Sequence, residues 1–214
     1  MHLLLTDRLT CPRCGPNLGL ILLASRLDDR VVHEGHLGCP NCRDSFLIEG
    51  GFADLRAPPR GGLRAGLVGA APESGVDAGA HEDAQRLVAL VGIVGGPGTV
   101  ALVGEPARHA SALTASSEEI HVAAVDADLR AWPEAPRVSR LVAEPGLPFF
   151  GSALRAVAVD GRLGPAWLAE SARVVVPRGR VVVVRAPEGT EEALRAQGLT
   201  VLAAEAETVV AARG

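Results

Sequence analysis

CPRCG at 11–15 and CPNC at 39–42 are two Cys-x-x-Cys pairs separated by 24 residues, and their reading decides how the first part of the chain is built. Each pair is written on a tight turn. Pro12 and Pro40 preset φ, and Gly15 tolerates a positive φ after the first pair. A lone pair would suit redox chemistry. Two pairs, the second after a strand-like run, place four thiolates at the corners of a tetrahedron, the arrangement that Zn²⁺ takes in structural sites. Cys11, Cys14, Cys39 and Cys42 are therefore the expected metal ligands, and they are the only cysteines in the sequence. A closed four-thiolate site has no open position for water, so it stabilises or presents a surface and does no chemistry itself.

The alternatives are two disulfides, or iron in place of zinc. MHLLLTDRLT at 1–10 lacks a basic n-region, and its apolar run Leu3–Leu5 is too short for an h-region, so a reducing, cytoplasmic setting is expected. His33 and His36 precede Cys39 and are read as bystanders at a strand end. Residues 1–57 read as one small unit: Leu18–Leu23 and Val31–Leu37 as strands around the charged turn 26–30, then an apolar strand, a Gly50-Gly51 turn and a last short strand within 45–56. Such a unit is too small to bury enough surface alone, and the metal supplies the missing stability.

Beyond it, 58–80 is rich in Pro, Gly and Ala without a period, and reads as a linker or an irregular segment lying across a second domain. Residues 81–214 alternate helical and strand signals. Helices are expected at 81–91, 107–115, 164–172 and 188–197, with Gly198 ending the last. Strands are expected at 99–103, 120–125, 138–142, 154–159, 174–176, 181–184, 199–204 and 208–212, with PRGR at 177–180 as a turn. Continuous apolar strands between helices predict an α/β fold with a mostly parallel sheet covered on both faces, closed by an antiparallel C-terminal pair.

Composition excludes several functions. The 214 residues carry a net charge of −4, and 48% are hydrophobic. Aromatics are 3% and Tyr is absent, so the core must be Val, Leu and Ala. All 21 basic residues are Arg. Without lysine there is no Schiff base and no Walker A phosphate loop. No run approaches a membrane span. Without a basic block, no broad nucleic-acid-binding face is expected.

Residues 1–57 resemble the small zinc-ribbon activator subunit of tRNA, rRNA and release-factor methyltransferases. They share an apolar lead-in, CPxCG, a second CPxC and a terminal GGFADL-like strand. Residues 81–214 resemble a class I S-adenosylmethionine methyltransferase with a Rossmann-like sheet. PGTVALVG at 97–104 matches the first strand and its glycine turn, and Asp126 ends the second strand 22 residues after Gly104. AEPGLPF at 143–149 matches the adenine loop, and 169–184 the helix, turn and fifth strand. The resemblance implies Gly104 and Glu105 in the cofactor loop, Asp126 on the ribose hydroxyls and Glu144 near the adenine of S-adenosylmethionine.

The sequence also departs from that family. The acidic residue before the cofactor loop is Leu102, and the glycines reduce to Gly104 followed by Glu105, Pro106, Ala107 and Arg108. Arg108 would crowd the cofactor unless it turns away. Leu154–Arg155 replaces the usual acidic pair of the fourth strand, and DADLRAWPEAP at 126–136 is too short and proline-broken for a full helix. Asp126 also reads as a solvated strand end, Glu105 as a helix-start acid, His109 and His121 as surface histidines, and Trp132 and Trp167 as core anchors. The expected protein is a zinc ribbon fused to a degenerate methyltransferase-like unit, non-catalytic or weakly cofactor-binding, acting as partner or scaffold to a methyltransferase or translation component. An active methyltransferase and a small-molecule sensor are the alternatives.

Overall fold

A computed structural model describes residues 1–71, 78–93 and 95–214, with the backbone alone at 78–80. The middle of the expected linker, 72–77, lies outside the described residues. The chain opens with one helical turn, α1 (Leu3–Thr6), capped by the Nδ1 of His2 accepting the N–H of Leu4. Strands β1 (Ile21–Asp28) and β2 (Val31–Gly38) form an antiparallel hairpin turning at Asp29 and Arg30, both at positive φ. The strand therefore starts later than the apolar run and continues through the charged residues expected to turn. Register shifts around Arg26 absorb the irregularity, and β1 is an edge whose polar side chains stay in water. Strands β3 (Ser45–Glu49) and β4 (Phe52–Arg56) join through Gly50 and Gly51 at φ +54° and +72°, the mirror-image turn that suits a two-residue hairpin.

The remainder of the chain alternates helix and strand as expected. In order come α2 (Ala78–Val91), β5 (Gly98–Val103), a 3-10 turn (Glu105–His109), α3 (Ala110–Ser116) and β6 (Ile120–Val125). Next are β7 (Val138–Glu144), β8 (Leu154–Asp160), α4 (Pro165–Val174), β9 (Val175–Val184), α5 (Thr190–Ala196), β10 (Leu199–Glu205) and β11 (Thr208–Arg213). Between β6 and β7 only a 3-10 turn, Asp128–Ala131, forms. Gly198, at φ +80°, follows the C-cap of α5. The turn expected at 177–180 is instead a bulge inside β9. Leu154 faces Val175 and Ala156 faces Arg180, so the extra residues loop out without ending the strand.

The described strands form one sheet in the order β1-β2-β3-β4-β7-β6-β5-β8-β9-β11-β10. The centre, β4 through β9, is parallel, and β9-β11-β10 is antiparallel. The sheet runs without a break across residue 57, because β4 pairs in parallel with β7 from Phe52↔Arg140 to Arg56↔Glu144. Side chains alternate between faces as strand geometry requires. Val100 and Leu102 of β5 pack with Leu87 of α2 and Leu113 of α3. Ala101 and Val103 join the opposite core, with Leu168 of α4, Leu194 of α5 and Leu9, Leu37 and Phe46 of the N-terminal segment. Among the described residues no helix is long and apolar enough to cross a membrane.

Candidate functional site

Two arrangements carry chemistry. The first is the cysteine cluster. In the first knuckle Gly15 N–H donates to Cys11 O (3.0 Å) and Cys14 N–H points at Cys11 Sγ (3.4 Å). The second repeats this with Arg43 N–H to Cys39 O (3.0 Å), and Arg43 takes the positive φ (+63°) that Gly15 takes in the first. The four Sγ atoms lie within 4.8 Å of one another, with Cys11–Cys42 at 3.7 Å and Cys14–Cys39 at 3.8 Å. A tetrahedron of Zn–S bonds of about 2.3 Å has edges of about 3.8 Å. The cluster therefore fits a four-thiolate zinc ion. Asn41 Nδ2 donates to Cys14 Sγ (3.3 Å), an outer contact of the kind that orients ligands. His33 lies apart, on Glu134 (3.1 Å), and His36 is exposed on β2.

The knuckle is docked on the loop after β7. Thr10 N–H donates to Pro148 O (2.9 Å), Phe150 N–H to Arg8 O (3.1 Å), and Leu9 and Phe149 are bridged and fully buried. Helix α4 holds that loop from the other side. Glu170 accepts Leu147 N–H (3.1 Å), and Arg173 donates to Phe149 O (2.7 Å) and Leu147 O (2.9 Å).

The second arrangement is the crevice at the carboxyl ends of the parallel strands, where such sheets bind ligands. Gly104 follows β5 at φ +70° and ψ −137°, and a Cβ there would stand 3.0 Å from Asp160 Cβ and 3.3 Å from Leu67 Cδ1. Asp126 follows β6 and Asp160 ends β8, the two acids flanking β5. Asp160 is fully buried. It takes Arg162 Nε (2.9 Å) and Nη2 (2.6 Å) and Arg185 Nη1 (3.3 Å), and Arg185 also reaches Glu105 Oε2 (3.2 Å). Burial alone would raise its carboxyl, but Arg162 and then Arg185 hold it below the ordinary range. Asp126 goes the other way. Its burial outweighs the N–H groups it accepts, and its carboxyl is raised.

A strap from the expected linker, residues 63–70, crosses this crevice. Leu67 N–H donates to Asp126 Oδ2 (2.9 Å), and Asp128 N–H to Asp126 Oδ1 (2.9 Å). Gly66 and Gly69 N–H groups donate to Asp128 Oδ1 and Oδ2 (both 2.8 Å). Trp132 Nε1 donates to Gly69 O (3.0 Å), and Val68 of the strap is buried. Gly66 lies so close that a Cβ on it would be 1.7 Å from Asp126 Oδ1.

The sequence-predicted cofactor residues separate accordingly. Gly104, Glu105 and Asp126 gather at one end of the sheet. Glu144 ends β7 exposed, in register with Arg56. Arg108 does not crowd the crevice. It turns outward onto Glu105 (3.1 Å) and is about half exposed, because a 3-10 turn spaces the two on one side. Arg155 sits at the opposite end of β8, donating to Gly95 O (2.6 Å) and Gly96 O (2.7 Å); the residue that ends the strand is Asp160. His121 packs against His2 (ring centroids 4.2 Å), away from the crevice, and burial lowers both imidazoles. Asp128, Asp160, Arg162, Arg185 and the strap are additions. Asp160 carried a signal, since Ala158-Val159-Asp160 repeats Ala124-Val125-Asp126. Each oxygen of Asp126 accepts an N–H of the chain itself, Leu67 on Oδ2 and Asp128 on Oδ1.

No protein-family model and no curated protein matches the sequence. Among solved structures the chain is similar to a geranyl diphosphate methyltransferase in complex with SAM, at 13% identity over 72% of this chain and 97% of that one, with a TM-score of 0.52. It is also similar to a Haloferax volcanii complex of the Trm112 methyltransferase activator and a methyltransferase (20% identity, 58% of this chain, 71% of that chain, TM-score 0.46). The [4+2]-cyclase SpnF aligns at 18% identity over 66% of this chain and 65% of that chain, with a TM-score of 0.47. At 13% identity the likeness to the geranyl diphosphate methyltransferase gives the fold alone: a methyltransferase-like Rossmann sheet with antiparallel C-terminal strands.

Proposed function

We propose that this chain is a zinc-binding, methyltransferase-like protein that does not transfer methyl groups and serves as a partner or scaffold in the cytoplasm. Residues 1–57 are its ribbon domain and 81–214 its Rossmann domain. The ribbon does in cis what an activator subunit does for the methyltransferases it resembles: through the β4–β7 pairing it covers one side of the sheet. The partner is a methyltransferase or a component of translation. The observation that carries the non-catalytic reading is Asp126, whose two oxygens are engaged by Leu67 and Asp128. Leu102 in place of an acid, and Glu105 and Asp160 bound up with Arg108, Arg162 and Arg185, support it. Four sulfurs at tetrahedral spacing support the zinc.

The test is calorimetric titration of the metal-loaded protein with S-adenosylmethionine and, separately, its demethylated product. The expected outcome is no detectable heat at two temperatures. Micromolar binding, about −8 kcal/mol, would restore an active methyltransferase. Metal analysis should return one zinc per chain.

A further inference from the structure

The crevice is filled by a piece of the same chain. Three strap N–H groups, of Gly66, Leu67 and Gly69, meet the carboxylates of Asp126 and Asp128 at 2.8, 2.9 and 2.8 Å. A vicinal diol brings two O–H donors to the same kind of acceptor. Glycine permits the approach: the Cα of Gly66 lies against Asp126, where a methyl group has no room, and Gly69 holds φ +76°. Only Val68 of the strap is buried, while Arg64, Ala65, Gly69 and Ala70 are exposed. Strap residues, together with Ala127, Asp128 and Arg130, line an open groove of about 830 Å³. A segment held by a few hydrogen bonds and one buried side chain opens without unfolding the sheet beneath it.

We propose that residues 63–70 are the crevice's own occupant, an internal substitute for the ribose of an adenine nucleoside, so that strap seating and nucleoside binding exclude one another. This rests on the reading of the chain as a methyltransferase homologue. It adds that the acceptor for a diol survives beneath the strap, and that the strap keeps the nucleoside out.

The test uses the full, metal-loaded chain carrying Trp167→Phe, so that Trp132, bonded to Gly69, alone reports the strap by fluorescence. Adenosine and S-adenosylmethionine are titrated by calorimetry into this protein and into its Gly66→Ala variant, whose Cβ cannot share space with Asp126 Oδ1. The variant should show changed Trp132 emission before any ligand is added and bind adenosine at least tenfold more tightly. Adding Asp126→Ala should abolish that gain. Leu67→Pro, which removes the N–H donated to Asp126, should reproduce the gain if Gly66→Ala folds poorly by circular dichroism. Changed emission without nucleoside binding would overturn the proposal and leave the partner reading standing. Equal, tight binding by both proteins would overturn both. Unchanged emission in Gly66→Ala would overturn the seating of the strap on Asp126.

Discussion

Asp126 and Asp160 follow or end the two strands that flank β5, and each accepts the N–H of the residue two positions on, Asp128 (2.9 Å) and Arg162 (3.0 Å). Their carboxyls are nonetheless driven in opposite directions. Asp160 adds guanidinium partners, and Asp126 adds mainly neutral N–H groups of the strap with the Asp128 carboxylate nearby.

Stability should therefore answer to pH with opposite signs at the two sites. Asp160 is held below 3.8, so its contribution is complete above that value and is lost as pH falls through its folded pKa. Asp126 is raised above 3.8, so the folded chain keeps a proton that the unfolded chain has released, and its ionisation costs stability as pH rises. Asp160→Asn should cost about 1–3 kcal/mol at neutral pH and less in acid. Asp126→Asn should be best tolerated at neutral pH. Urea unfolding at pH 7 and near pH 3 measures both differences, and pH-independent values for both variants would sink the assignment.

Arg140 is 5% exposed and donates to the carbonyls of Leu129, Trp132 and Gly50. Arg140→Met keeps the stem and strands three acceptors. The expected loss is about 2–5 kcal/mol, read as a lower urea midpoint. Amide exchange should quicken at the 50–51 turn together with 129–132, and protection unchanged in either place would contradict the shared anchor.

Removing the metal should loosen more than the knuckles. Leu9, Thr10 and Arg8 bond the loop 148–150, so a chelator should raise protease sensitivity both in 9–18 and in 145–150. Cys39→Ser should mimic it. Unchanged cleavage at both places after chelation would argue against a structural ion.

Gly179 sits in the bulge of β9, and a Cβ there would stand 2.6 Å from Arg155 O and from Val175 Cγ2. Gly179→Ala should cost about 1–3 kcal/mol, because backbone of the neighbouring strand must move. A thermal midpoint equal to that of the parent would show that the bulge relaxes freely.

Where the deciding interactions are local, sequence reads out directly. Cys-Pro-x-Cys turns bring their own sulfurs together, and fully covered strands such as Thr99–Val103 show as apolar runs because both faces are buried. PRGR at 177–180 misleads because a bulge and a turn use the same residues. Arg108 and Arg155 misplace because their partners, Glu105 and the carbonyls of Gly95 and Gly96, are chosen by three-dimensional geometry. A segment lying across the second unit is one of the two readings of 58–80, but the seat of the strap on Asp126 and Asp128 leaves no mark in the sequence. The strap binds through backbone N–H groups, which every sequence of Gly and Ala offers alike. The β4–β7 pairing has no local mark at all.

That pairing has a kinetic consequence. Gly50 meets Arg140 across 90 positions of chain. At a synthesis rate of about 5–20 residues per second, β4 waits roughly 5–20 seconds for the strand that covers its outer edge. The cysteine knuckles and the first three strands can gather earlier, from contacts within 1–49. During synthesis β4 thus keeps a bare, parallel-ready edge until Val138–Glu144 emerges to close it, and β8 to β11 join the sheet only after that.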